Sequence, residues 1–163
     1  MTDDNLKQLV AQGLAALKAG GKIAQEATQE IQDSASSPDL RQALEQGTRT
    51  AQQWSERIDR ALGEVGGPQG EEGNPILQAH FEVSRRIRSQ APDETSRDLG
   101  IIAAGQLALH YWIAAFGTLA NYAKQMGMER TASDLHASVE EAKQADDQHT
   151  ALAEKLLRQP ADA

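Results

Sequence analysis

Cysteine is absent from all 163 residues, which excludes disulfides, thiolate zinc sites and cysteine nucleophiles. Aromatic residues make up only 4%. With Ala, Gln, Glu and Leu so abundant, that scarcity favours long helices over sheet. Basic residues are outnumbered, 16 against 24 acidic, for a net charge of −8. Such a balance opposes nonspecific binding to nucleic acid or anionic lipid. The one basic cluster, Arg85, Arg86 and Arg88, reads as a solvated helix face. No apolar run approaches the roughly 20 residues of a membrane span. The opening Met1-Thr2-Asp3-Asp4 has neither the basic n-region nor the apolar h-region of a signal peptide. The expectation is a cytoplasmic protein without membrane or nucleic-acid partners. No Ser/His/Asp triad or HExxH occurs in a usable context, and the Gly-Gly-Lys at 20–22 lies within a helical pattern with no preceding strand.

What is present is helical periodicity. A first helix is expected over 5–33, with the seam Leu6, Val10, Gly13, Leu17, Gly20, Ala24, Ala27, Ile31 in alternating steps of three and four. Ser34 to Pro38 stops it; Ser37 suits an N-cap and Pro38 the first position of the next helix. The second helix is expected over 38–62, with Leu40, Leu44, Gly47, Ala51, Trp54, Ile58 and Ala61 inward. Five glycines and two prolines between Gly63 and Pro75 predict a flexible connection. A short amphipathic helix, 75–89, presents Ile76, His80, Val83 and Ile87 on one face. The third long helix, 94–126, has the seam Leu99, Ile102, Gln106, Leu109, Ile113, Phe116, Ala120, Ala123, and Gly127 caps it. The fourth, 129–157, has Leu135, Val139, Ala142, Asp146, His149, Ala153 and Leu156, with a frayed tail from Arg158. Four long helices with one long middle connection predict a single all-α domain over 1–163: a ferritin-like four-helix bundle of two antiparallel hairpins joined by a crossover carrying the short extra helix.

The residues Arg97-Asp98, Ile102-Ala103-Ala104-Gly105-Gln106, His110-Tyr111 and Ile113 to Leu119 resemble the YciE/YciF family of bacterial ferritin-like stress proteins. The register continues into Leu135, Glu141, Lys143, Asp146, Thr150, Leu152 and Ala153, and upstream into Leu40, Gln42-Ala43 and Glu56-Arg57-Ile58-Asp59. The resemblance covers most of the chain outside the glycine-rich crossover. It implies a di-metal centre held by inward carboxylates and histidine, a homodimer paired through helix faces, and a role in stress physiology. At the ligand positions the sequence departs from the family. The first-helix glutamate becomes Gly21. The second helix's histidine and glutamate become Gly47 and Thr50. The third helix's two glutamates become Leu109 and Trp112, and the fourth helix's inward glutamate becomes Ala142. The periodic seam independently places 47, 109 and 142 inside the bundle.

Glycine, alanine and leucine offer no ligand atom, so such a site cannot offset the several kcal/mol of desolvation per ion. No metal and no other cofactor is expected. Gln106, His110, Asp146 and His149 remain as polar candidates. Asp146 and His149, three apart on one face, are read as a hydrogen-bonded pair, with a single metal shared with His110 and Gln106 as the alternative. Trp54 and Trp112 are expected to fill core volume, with Trp112 and Leu109 packed over Gly21 and Gly47; His80 and His136 read as surface or crossover residues. Trp54, Tyr111 or Tyr122 could anchor the dimer face. The expected function is a non-enzymatic structural or binding role. The alternatives are an atypically ligated oxidase using His110, Asp146 and His149, or a small-molecule-binding bundle.

Overall fold

The computed structural model describes residues 3–67 and 73–158. All regular structure among them is helical: α1 (Asp3–Ser34), α2 (Pro38–Val65), α3 (Pro75–Gln90), α4 (Glu94–Gln125) and α5 (Glu129–Leu157). The starts of α2, α3 and α4 each have a local cause. The Ser37 hydroxyl accepts the Leu40 N–H and Pro38 opens α2. Asn74 and Pro75 repeat that device at α3, with Asn74 Oδ1 accepting the Leu77 N–H at 3.1 Å. Asp93 Oδ1 accepts the Ser96 N–H at 2.7 Å to open α4. Helix α2 runs three residues past the expected end, because Gly63 is tolerated within it and Gly66, at φ 71°, supplies the left-handed stop. Gly127, also at φ 71°, turns the chain after α4 as expected. Part of the connection expected to be flexible, residues 68–72, and nearly all of the tail expected to fray, 159–163, lie outside the described residues.

Two groups of buried side chains order the helices. One joins Val10, Leu14 and Leu17 of α1 to Trp54, Ile58 and Ala61 of α2, Trp112, Phe116 and Ala120 of α4, and Leu135, Val139 and Ala142 of α5. The other joins Ala35, Leu40, Ile101, Ile102 and Leu156 at the opposite end. Hence α1 and α2 are antiparallel, α4 and α5 are antiparallel, and α2 and α4 run the same way. A parallel succession requires a connection along the bundle, and α3 supplies it while packing on α1 and α4. This is the ferritin-like arrangement.

The face of α3 corrects the periodic reading. Ile76, Val83 and Ile87 are exposed, while Leu77, Ser84 and Arg88 are buried and Phe81 is half-buried. Polar anchors override the apolar stripe. Asn74 Nδ2 donates to the Ala16 carbonyl at 2.9 Å and to Tyr111 Oη at 2.7 Å. At the other end Arg88 donates to Ser84 Oγ (2.8 Å) and Glu30 Oε1 (2.6 Å), and Arg85 also bonds Glu30. Arg85 and Arg88 are therefore an interhelix clamp on Glu30; Arg85 and Arg86 keep the expected solvated face, and Arg88 is buried.

The absence of a long apolar run also needs correction. Between Asp98 and Lys124, α4 has no Asp, Glu, Lys or Arg. Its best 18-residue window reaches a mean hydropathy of 1.5, enough by length and composition for a membrane span. In this fold α4 is a bundle helix, contributing Trp112, Phe116, Leu119 and Ala123 to the core.

Candidate functional site

Heptad-spaced positions of one helix share a face, so burial along such a line tests whether the bundle is filled. On α2 the line Leu40, Gly47, Trp54, Ala61 is buried at every position except Gly47, which is exposed. On the α1 line, Leu14 and, just past the helix end, Ala35 are buried, while Gly21 and Thr28 between them are only half-buried. On α4, Ile102, Phe116 and Ala123 are buried and Leu109 is half-buried. On α5 the line Leu135, Ala142, His149, Leu156 is buried throughout, so the apolar lining is interrupted at one level between the two apolar groups, where α5 supplies the buried His149. A Cβ built on Gly21 or on Gly47 meets nothing within 4 Å.

This overturns the expected cover of Gly21 and Gly47 by Leu109 and Trp112. Trp112 is core, but one level away: it stacks on Phe116 (centroids 5.5 Å, interplanar 24°) and meets Trp54 at 5.8 Å. Its Cη2 approaches Gly20, not Gly21, and a Cβ on Gly20 would also lie 2.7 Å from Asn74 Nδ2 and Leu77 Cδ1. Ala142 is fully buried and Thr50 half-buried. The seam position of residue 47 is inward in phase, yet it is exposed, while its neighbour Thr48 accepts Gln32 Nε2 of α1 at 3.1 Å.

The polar candidates are paired differently from the sequence reading. Asp146 Oδ2 meets His110 Nε2 at 3.2 Å. Asp146 does not orient His149, whose Nδ1 lies 2.8 Å from the Ala145 carbonyl of its own helix. A hydrogen bond there makes Nδ1 the protonated nitrogen of the neutral ring. His149 Nε2 abuts Gly105, where an added Cβ would lie 3.0 Å from it. Gln106 Nε2 donates to Thr150 Oγ1 at 2.9 Å. Asp146–His110 and Gln106–Thr150 therefore form polar rungs between α4 and α5 on a side where His110 and Thr150 are exposed. Asp146 Oδ1 is buried with no hydrogen-bond partner. Among the described residues no three His, Asp or Glu side chains cluster at metal-binding range. His80 is half-buried on α3, and desolvation pushes its pKa below the ordinary 6.5, against a raising hydrogen bond with the Ala104 carbonyl.

Two networks escaped sequence reasoning. Glu141, one residue from Ala142, accepts Arg57 Nη1 at 2.6 Å and Nη2 at 2.8 Å, and the Trp54 indole N–H at 2.8 Å. The Arg57 hydrogen bonds, opposed by desolvation and supplemented by that indole, hold the Glu141 carboxyl below its ordinary 4.5. At the opposite end the buried Asp98 accepts the Ser36 and Ser37 N–H groups at 2.8 and 2.7 Å. Arg97 bonds the Ser34 carbonyl and Ser36 Oγ. The Arg97-Asp98 pair is thus a clamp holding the α1–α2 turn against α4. Charge spacing alone carries no hint of either partner, which lie 61 or more residues away.

Residues 5–162 match the family described as Domain of unknown function (DUF892). Over 72 residues the chain is 42% identical to Protein YciF of Escherichia coli strain K12, a stretch covering 44% of this chain and 43% of that relative's length. The crystal structure of the E. coli stress protein YciF superposes with a TM-score of 0.89 at 25% identity, covering 94% of this chain and 98% of that one. YcfI of Rhodopseudomonas palustris superposes with a TM-score of 0.83 at 23% identity, over 92% of this chain and 94% of that one. With the profile spanning nearly its whole length, the chain belongs to the DUF892 family, the family of the stress protein YciF.

Proposed function

We propose that this protein is a ferritin-like bundle without a di-metal centre, acting non-enzymatically as a structural or binding protein in bacterial stress physiology. The observation that carries this reading is the interrupted interior. Gly21, Gly47 and Leu109 stand at seam positions of three helices, where a ferritin-like centre needs converging ligands, and none offers a side-chain ligand atom. The stress context is supported by the likeness to YciF. Elemental analysis of protein purified without chelators is expected to find no stoichiometric iron, manganese or zinc. About one metal per chain surviving dialysis would return the atypical oxidase built on His110, Asp146 and His149.

The same reading includes a cytoplasmic homodimer with no nucleic-acid or membrane partner. A groove of about 480 Å³ between α1 and α4, lined by Leu9, Ala16, Tyr111, Ala114, Leu119 and Tyr122, is the face that supports it. Trp54, considered as an anchor from sequence, is buried in the core and leaves Tyr111 and Tyr122 for that role. Sedimentation should show a dimer, and Ala114→Arg, placing a charge on the groove wall, should give a folded monomer.

A further inference from the structure

Among the described residues six large apolar side chains are exposed, and four of them, Ile76, Val83, Ile87 and Leu107, belong to one strip. Three lie on α3, where positions 76, 80, 83 and 87 follow in steps of four and three and so share a face. The other member of that line, His80, is half-buried and bonds the Ala104 carbonyl, so this edge of α3 borders α4. Ile87 Cγ2 would lie 2.6 Å from a Cβ on Gly100, and Asn74 bonds Tyr111. Helix α3 therefore runs antiparallel to α4 along the line 100, 104, 107, 111, which puts Leu107 level with Ile76. An aliphatic strip concentrated in this way marks a contact surface, where singly scattered exposed residues would not.

We propose that this strip is a self-association face, on which a second copy of the chain packs its own α3 antiparallel about a two-fold axis. The charges decide both the occupant and the direction. Glu82 and Arg86 are exposed one turn apart on the edge of α3 away from α4. Glu82 has a through-space attraction to Arg85, and Arg86 is in no ion pair among the described residues. A parallel pairing would set like charge against like charge at both positions. The antiparallel one sets Glu82 near Arg86 of the partner subunit and Ile76 against Ile87 of the partner subunit, so that one surface complements itself. Helix α4 brings no Asp, Glu, Lys or Arg between Asp98 and Lys124 and exposes the small Ala103 one turn from Leu107. The strip shares no residue with the groove between α1 and α4. On the reading that the groove makes a dimer, a chain using both faces assembles as a pair of dimers.

The test is sedimentation of the full-length protein over a concentration series, in which dimers should give way to tetramers. Val83→Arg sets two like charges beside the axis and should stop assembly at the dimer. Its melting temperature should be unchanged, because Val83 is exposed. Ala114→Arg, monomeric when dilute, should still pair at the upper end of the series, and adding Val83→Arg should abolish that pairing. Glu82→Arg and Arg86→Glu should each weaken the association roughly two- to fivefold, and the double variant should restore it. Assembly unaffected by Val83→Arg, or a double variant no better than the single ones, would overturn the α3 face. A wild type that passes only from monomer to dimer, and loses the dimer in Val83→Arg but not in Ala114→Arg, would support this face and overturn the groove dimer instead.

Discussion

A methyl group added at Gly20 would lie 2.7 Å from both Asn74 Nδ2 and Leu77 Cδ1, whereas one added at Gly47 would meet nothing within 4 Å. The two glycines sit on inward lines of neighbouring helices, so sequence alone treats them alike. At Gly20 the missing side chain lets the start of α3 lie on α1; at Gly47 it leaves an empty place. Gly20→Ala is therefore expected to cost about 1–3 kcal/mol through overpacking. Gly47→Ala should add about 0.5–1 kcal/mol by removing a helix-interior glycine. Urea denaturation of both variants checks the pair; two changes of the same sign would contradict the difference in packing.

At the scale of the element, what holds each helix in place is polar and distant in sequence. Asp98 ties α4 to the α1–α2 turn, Glu30 ties α1 to α3, and Glu141 ties α5 to α2. Arg57 hydrogen bonding is the main cause that holds the Glu141 carboxyl below 4.5. A carboxyl whose folded pKa is depressed stabilises the protein above its unfolded value and loses that contribution as pH falls through the lower, folded value. Glu141→Gln is thus expected to be most destabilising near neutral pH, where it leaves the half-buried Arg57 without its anion. The gap to wild type should begin to narrow below about pH 4.5, the unfolded value, and go on narrowing as pH falls through the lower, folded one. Urea midpoints measured from pH 7 down to pH 3 report this directly, and a gap independent of pH would show that the ion pair does not govern it.

For the whole molecule, the proposal that the bundle lacks a metal centre makes a constructive prediction. On that proposal the backbone presents residues 21, 47, 50, 109, 112 and 142 as ligand positions. The sextuple variant Gly21→Glu, Gly47→His, Thr50→Glu, Leu109→Glu, Trp112→Glu and Ala142→Glu should gain stability from metal. Ferrous or manganous ion at about 100 times its dissociation constant should add about 2.7 kcal/mol. Without metal the variant should be strongly destabilised, because like charges crowd one another and Trp112 no longer packs on Phe116 and Trp54. Melting temperatures with and without the ion provide the readout. Equal values in a folded variant would mean that the six positions do not converge.

Periodicity, caps and the one long connection determined the architecture from sequence, because helix phase and capping are local properties. Ser37-Pro38 and Gly127 marked boundaries for that reason, and the three- and four-residue steps marked four long helices. The motif around Arg97 and His110 carried the family. Only the tertiary structure decided which face α3 buries, since Asn74, Arg85 and Arg88 find partners on α1 and α4 that outweigh an apolar stripe. It also decided that Asp146 pairs with His110 and not with His149, because a neighbouring helix brings an imidazole closer than its own turn does. The exposure of Gly47 was beyond sequence altogether. A residue's phase says that it points inward, but whether anything fills the space opposite depends on how closely three other helices approach.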